Sequence, residues 1–182
     1  MVTPTTPIPR WRTLALLMAA AGAVKLAVLL QLHDHPLLQP HGELGTAYYV
    51  DLARWIADHG LLAITEPFFV SPLYVYFLAT IFALGGGLLA ARLVQIALGV
   101  AAVGLQYATA RWWFGERAAA VAAVLAVLFS FYEVLILQAA LDPFLVSAAL
   151  FLVTRTLDSR RPVVFVATGI VLGLLVLDDR NY

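Results

Sequence analysis

Long apolar runs separated by short polar breaks dominate the chain. The first, Thr13–Leu32 ("TLALLMAAAGAVKLAVLLQL"), follows Arg10 and Arg12. A membrane-spanning helix needs roughly 20 apolar residues, and this run is long enough. A secretory signal has an apolar region of only about 7–15 residues, so the run is expected to be an uncleaved anchor. Further apolar runs predict helices over 89–113, 118–137, 143–158 and 163–178. The run Pro72–Leu84 is different. Pro72 opens it, Gly85-Gly86-Gly87 closes it, and at 1.5 Å per residue it covers only about 20 Å. Runs of that length are more often re-entrant or interfacial. The stretch "GELGTAYYVDLARWIADHG" (42–60) shows an amphipathic pattern. Thr46 is expected to cap a helix over 47–59, with Gly60 as its stop. Tyr48, Leu52, Trp55 and Ile56 should share its apolar face, and Asp51, Arg54 and Asp58 the polar one, which suits a helix lying in the membrane interface.

Composition and charge decide the class and the topology. The chain of 182 residues is 63% hydrophobic and only 12% charged, with no net charge. Soluble domains carry about 25% charged residues, so the surplus apolar surface is expected to meet lipid. Neutrality and the lack of a basic patch argue against a nucleic-acid partner. The absence of cysteine excludes disulfides and cysteine catalysis. If 72–84 does not cross the membrane, Arg10, Arg12, Arg111, Arg117, Arg155, Arg160 and Arg161 fall on one side. Asp34, Glu43, Asp51, Asp58, Glu66, Asp142, Asp178 and Asp179 fall on the other. The positive-inside rule makes the arginine side cytoplasmic. The predicted fold is therefore an all-α integral membrane protein with five spans (13–32, 89–113, 118–137, 143–158, 163–178). Its outer loop over 33–88 carries juxtamembrane helices at 47–59 and 72–84. Gly169 and Gly173 offer a small-residue face for helix packing.

Several polar residues stand where they are costly. Lys25 interrupts the first span. It is expected either to snorkel or face a neighbouring helix, or to meet a phosphate near the outer face. Glu133 lies within the third span, and Arg92 begins the second. Asp142-Pro143 opens the fourth, where an Asp N-cap followed by Pro at the first helical position is one explanation. Function is the other. Glu43, Arg92, Glu133, Asp142 and Arg180 would all lie on the outer side, where acids can act as a general base or hold a divalent cation and arginines can hold a phosphate. His33, His35 and His41 match no standard zinc spacing.

The order and spacing of "LQP…TAYYVDLARWIADHG", "FFVSPLYVYFLATIFALGGG", "AARLVQ" around Arg92, "ARWWFGER", "LDPFLVSAALFL" and "GIVLGLLVL" carry a resemblance. The chain resembles the N-terminal part of bacterial membrane glycosyltransferases of the C-type fold. These are polyprenyl-phosphate-dependent enzymes such as the aminoarabinose transferase acting on lipid A and the family-39 and family-83 type transferases. The resemblance implies transfer of a sugar from a polyprenyl-phosphate donor to a lipid, glycan or protein acceptor on the outer face of a bacterial inner membrane. It implies catalytic carboxylates at Glu43 and Asp142, donor-phosphate binding by Arg92 and Arg180, and a cavity lined by Tyr48, Tyr49 and Glu133. A divalent cation is an expected cofactor; no resident metal site is expected.

Two departures accompany the resemblance. By register the acid expected in the first outer loop falls on Gly45, with Glu43 two residues upstream. The basic motif expected after the fifth span reads "LDDRNY", with Asn181 in place and Arg180 one position late. Family members are also much longer, so the chain is expected to be a fragment, a truncated product or a degenerate homologue, inactive alone. A non-catalytic membrane module binding lipid or a partner helix is the alternative. A small transporter is disfavoured, because its broken helices in paired halves are not evident.

Overall fold

The structure, a computed structural model, describes residues 10–39, 46–60, 70–129 and 132–178. It is all-α. The described residues form seven helices: α1 (Arg10–Gln31), α2 (Ala47–His59), α3 (Pro72–Ala83), α4 (Leu88–Phe114), α5 (Glu116–Phe129), α6 (Asp142–Asp158) and α7 (Pro162–Asp178). No strand occurs among them. The spans over Trp11–Gln31 and Leu88–Phe114 are long and apolar enough to cross a membrane, yet only 17% and 33% of their most apolar windows are buried. A core helix of a soluble protein would be mostly covered. Here Leu16, Leu30, Leu89, Val121, Leu128, Leu150, Val166 and Val176 point outward, as the apolar exterior of a membrane protein does.

α4 is the axis of the bundle and packs against α1, α5 and α6, while α6 also packs against α7. α1 runs antiparallel to it, because Gly22 faces Val100 and Gly104 faces Met18. α6 runs parallel to it. Gln106 Nε2 donates to Ser147 Oγ (2.9 Å) and Trp113 Nε1 to Thr154 Oγ1 (3.1 Å), both across the same 41-residue offset. These directions gather Arg12, Arg111, Arg117, Arg155, Arg160 and Arg161 at one end of the bundle. That end also holds Glu116 and Asp158.

The opposite end departs from the predicted pattern. A single helix was expected over 118–137, but α5 stops at Phe129 and two 3-10 turns follow, at Tyr132–Val134 and Gln138–Ala140. The 14 residues of α5 rise only about 21 Å. Irregular backbone at membrane depth is tolerated only where protein or a wet cavity covers it. Here protein does so: Glu133, Val134, Leu135 and Ile136 are all buried. The cover comes from α2 and α3, whose Val50, Ala53, Ile56, Tyr74, Val75 and Leu78 form one cluster with Ile136, Leu141 and Leu145. Leu29 and Leu38 close over Val134 and Leu135 from the α1 side.

α2 starts and stops where expected, but Thr46 holds the N-cap position in a helical conformation and its side chain makes no capping bond; Gly60 takes φ +99°, with its N–H on the Ile56 carbonyl. Its buried face, however, is Val50, Ala53 and Ile56, with Tyr48 and Trp55 on the exposed side. That is a rotation away from the predicted Tyr48–Leu52–Trp55–Ile56 stripe. α3 begins with Ser71 as N-cap and Pro72 in the first turn. It ends in the Gly85–Gly87 turn that leads into α4. Its 12 residues span about 18 Å, too short for a hydrocarbon core of about 30 Å.

Candidate functional site

The arginine-poor end holds a connected set of polar side chains. Ser71 Oγ donates to Asp178 Oδ1 at 2.7 Å, which pins the start of α3 to the end of α7. Both residues are buried. One turn along α3, Tyr74 is fully buried, and Gln95 Nε2 donates to its hydroxyl oxygen at 2.9 Å. Burial pushes the Tyr74 phenol well above its ordinary value, so it stays a neutral hydroxyl. The Tyr49 ring meets the Tyr74 ring edge-on, with centroids 5.4 Å apart. The Tyr49 hydroxyl reaches Gln138 Oε1 at 3.4 Å. Five elements are thus tied together: α2, α3, α4, α7 and the broken segment after α5.

Arg92, Gln95 and Gly99 lie on one stripe of α4 at spacings of three and four, so they face the same way. Arg92 is half-buried, and its Nη2 donates to the Leu38 carbonyl in the loop after α1. Its Nε is buried and, among the described residues, has no partner; the same holds for Gln95 Oε1. A donor and an acceptor left open within one turn of each other are costly unless a ligand meets them.

Below them, Glu133 and Lys25 form an ion pair of 2.8 Å with both side chains almost wholly buried. Lys25 therefore neither snorkels nor stands free for a phosphate. Of the expected alternatives, facing a neighbour is the one observed, and the neighbour is an acid 108 residues away. Glu133, expected as a cavity-lining residue, is occupied in the same contact. Its side chain lies directly over Gly99: a Cβ there would stand 2.8 Å from its Cδ and 2.9 Å from its Cγ. Gly99 is the close-approach position that lets the broken segment dock on α4.

Asp142 is exposed at the start of α6. The N-cap of that helix is Leu141 and no side chain caps it, so the capping explanation for Asp142 fails. On the 41-residue register of α4 and α6, Asp142 stands level with Ala101, about 14 Å further along the axis than Arg92. The structure does not bring these two together. Tyr48 is 49% exposed, and Tyr49 is part of the polar set. Glu43, Gly45, Arg180, Asn181 and His41 lie outside the described residues. His33 pairs with Asp34 on the exposed loop. Among the described residues no three His, Asp or Glu side chains gather into a cation site.

Ser71, Tyr74, Gln95, Gln138 and Asp178 were not predicted as site residues. Ser71 carried a signal, a Ser N-cap before Pro at the first helical position, and Gln95 another, an amide inside a span at i+3 from Arg92.

A family model described as dolichyl-phosphate-mannose-protein mannosyltransferase matches residues 67–178, more than half of the chain. No curated protein and no solved structure matches it. The matched segment runs through α3 to α7 and contains Ser71, Tyr74, Arg92, Gln95, Glu133, Asp142 and Asp178, and on that coverage the chain belongs to the dolichyl-phosphate-mannose-protein mannosyltransferase family.

Proposed function

We propose that this chain forms the donor-binding part of a membrane glycosyltransferase that takes a sugar of the mannose class from a polyprenyl phosphate and passes it to an acceptor hydroxyl. The observation that carries the reading is the buried Arg92 Nε beside Gln95 Oε1, both open among the described residues. A guanidinium matches a phosphate through several parallel donors. Arg92 already spends one nitrogen on Leu38, which fixes the orientation of the rest. Gln95 is held by Tyr74, so its free oxygen is directed too and would accept from a sugar hydroxyl.

The chemistry follows from the donor. The acceptor hydroxyl oxygen attacks the anomeric carbon. The bond from that carbon to the phosphate oxygen breaks, and polyprenyl phosphate leaves with the electron pair. Arg92, with Arg180 as a second cation, would neutralise the charge gathering on that phosphate. The acceptor proton goes to a carboxylate of the segment that precedes α2 in sequence, for which Glu43 is the candidate. Asp142 is too far along α4 from Arg92 to touch the same phosphate, and its proposed part is at the sugar or acceptor side. In this reading the arginine-rich end faces the cytoplasm of a bacterial cell, and the α2–α3 layer lies on the outer face of its inner membrane. Gly45, where the resemblance expects an acid, favours one other reading: a lipid-binding module that has lost catalysis.

The test is donor binding to the chain reconstituted in nanodiscs. Arg92→Gln should weaken binding of a mannosyl polyprenyl phosphate by about tenfold or more, because hydrogen bonds to charged groups contribute roughly 1.5–3 kcal/mol. Arg92→Lys should recover only part of it. Equal affinity in wild type and Arg92→Gln would overturn the assignment.

A further inference from the structure

The arginine-rich end carries a second set of cationic side chains, remote from Arg92. Between α4 and α6 there is a cavity of about 430 Å³ lined by Ala108, Arg111, Trp112, Phe151, Thr154 and Arg155. Arg111 is the basic residue of the last turn of α4, and Arg155 that of α6. The parallel register of the two helices places Arg155 level with Phe114, roughly 4.5 Å along the axis from Arg111. Glu116 Oε2 takes the Nε of Arg111 at 3.1 Å. The terminal nitrogens of Arg111 have no partner among the described residues, and neither does the Arg155 guanidinium.

The walls are built as firmly as the charges are placed. Trp113 Nε1 bonds to Thr154 Oγ1 at 3.1 Å, and that hydroxyl bonds back to the Leu150 carbonyl at 2.8 Å. These bonds clamp the two helix ends together beside the opening. Trp112, Trp113, Phe114 and Leu157 are exposed around it. Tryptophans at a helix end, flanked by arginine, mark the level of lipid headgroups. The cavity thus opens where phosphodiesters lie, with acyl chains against Phe151 and the apolar flank of α6.

We infer that this cavity binds the headgroup phosphate of an anionic phospholipid in the leaflet at the arginine-rich end, with Arg111 and Arg155 clasping the phosphate and Trp112 and Phe151 meeting the glycerol and first methylenes. Basic pockets between spanning helices are known to hold such headgroups. The apolar flank selects a lipid over a soluble anion.

Native mass spectrometry of the intact chain, released from micelles holding equal phosphatidylglycerol and phosphatidylcholine, tests this. Wild type should retain phosphatidylglycerol preferentially. Arg155→Gln should cut that retention about fivefold, the factor expected for one basic residue at the headgroup level, and Arg155→Lys should restore most of it. Arg160→Gln and Arg161→Gln, at the same end but outside the cavity, should leave it unchanged. Retention unaffected by Arg155→Gln would overturn the site. So would an equal loss in the Arg160 and Arg161 variants, which would mean diffuse surface charge. Millimolar inorganic phosphate should not displace the lipid; displacement would mean a free-phosphate site and would overturn the lipid assignment.

Discussion

Glu133→Ala is expected to destabilise the protein by about 3–5 kcal/mol, the cost of leaving one member of a buried ion pair without its partner. Lys25 sits at 1% exposure inside α1 and depends on the Glu133 carboxylate 2.8 Å away. Removing the acid leaves a buried ammonium without the carboxylate that neutralises it. The loss is also topological. Glu133 rests on the bare backbone of Gly99 and adds a polar contact to the apolar packing that holds the first 3-10 turn after α5 against α1 and α4. Replacing both partners with apolar residues, Lys25→Met with Glu133→Leu, should recover most of the stability, since a well-packed apolar pair is often equal to or better than a buried ion pair. Unfolding in mixed detergent micelles measures both variants. If Glu133→Ala melts within about 0.5 kcal/mol of wild type, the range of an ordinary surface substitution, the pair does not organise the break.

The second large effect concerns chemistry. In a full-length version of the protein, Gly45→Asp should raise sugar transfer by about a hundredfold or more, the lower end of what a positioned general base contributes. The chain belongs to the mannosyltransferase family, and the acid that the resemblance expects before the Tyr48–Tyr49 pair is a glycine, with Glu43 two residues upstream. A shift of two residues carries a carboxylate several ångströms, and a misplacement of about 1 Å can cost a hundredfold in rate. Transfer from a mannosyl polyprenyl phosphate to a small acceptor is the readout, with donor binding measured in parallel. Binding with a gain of transfer identifies an enzyme lacking its base. Binding without any gain supports the lipid-binding module instead.

What the sequence shows plainly is the extent of the helices and what bounds them. Gly60 stops α2 through a positive φ, Ser71-Pro72 starts α3, and the long run from Leu88 forms a single helix to Phe114. The break after Phe129 is not visible in the same way. "YEVLILQ" (132–138) is as apolar as a helix needs, and a short apolar run carries no periodicity that separates helix from irregular backbone. Its conformation is set by the α2–α3 layer packed over it, which is information from residues far away in the chain. The rotation of α2 has a related cause. The large residues Tyr48 and Trp55 suggest the buried side, but close packing onto α3 favours the smaller Val50 and Ala53, and amphipathic aromatics are suited to an interface. The Lys25–Glu133 pair and the Ser71–Asp178 bond each join residues more than a hundred positions apart. Local spacing holds no trace of either. Arg92 was legible as a costly charge at a helix start, whereas the open state of its Nε is a property of its surroundings.

Two arginine-bearing sites now compete for a phosphate, one at Arg92 and Gln95 and one in the cavity of Arg111 and Arg155. The central claim is that the sugar-bearing lipid uses the first. Photo-crosslinking with a mannosyl polyprenyl phosphate carrying a diazirine near the phosphate separates them. The account predicts adducts on 46–60 and 88–95 that unlabelled donor competes away. Adducts confined to 108–117 and 151–161, or labelling of 88–95 that excess donor fails to reduce, would contradict it.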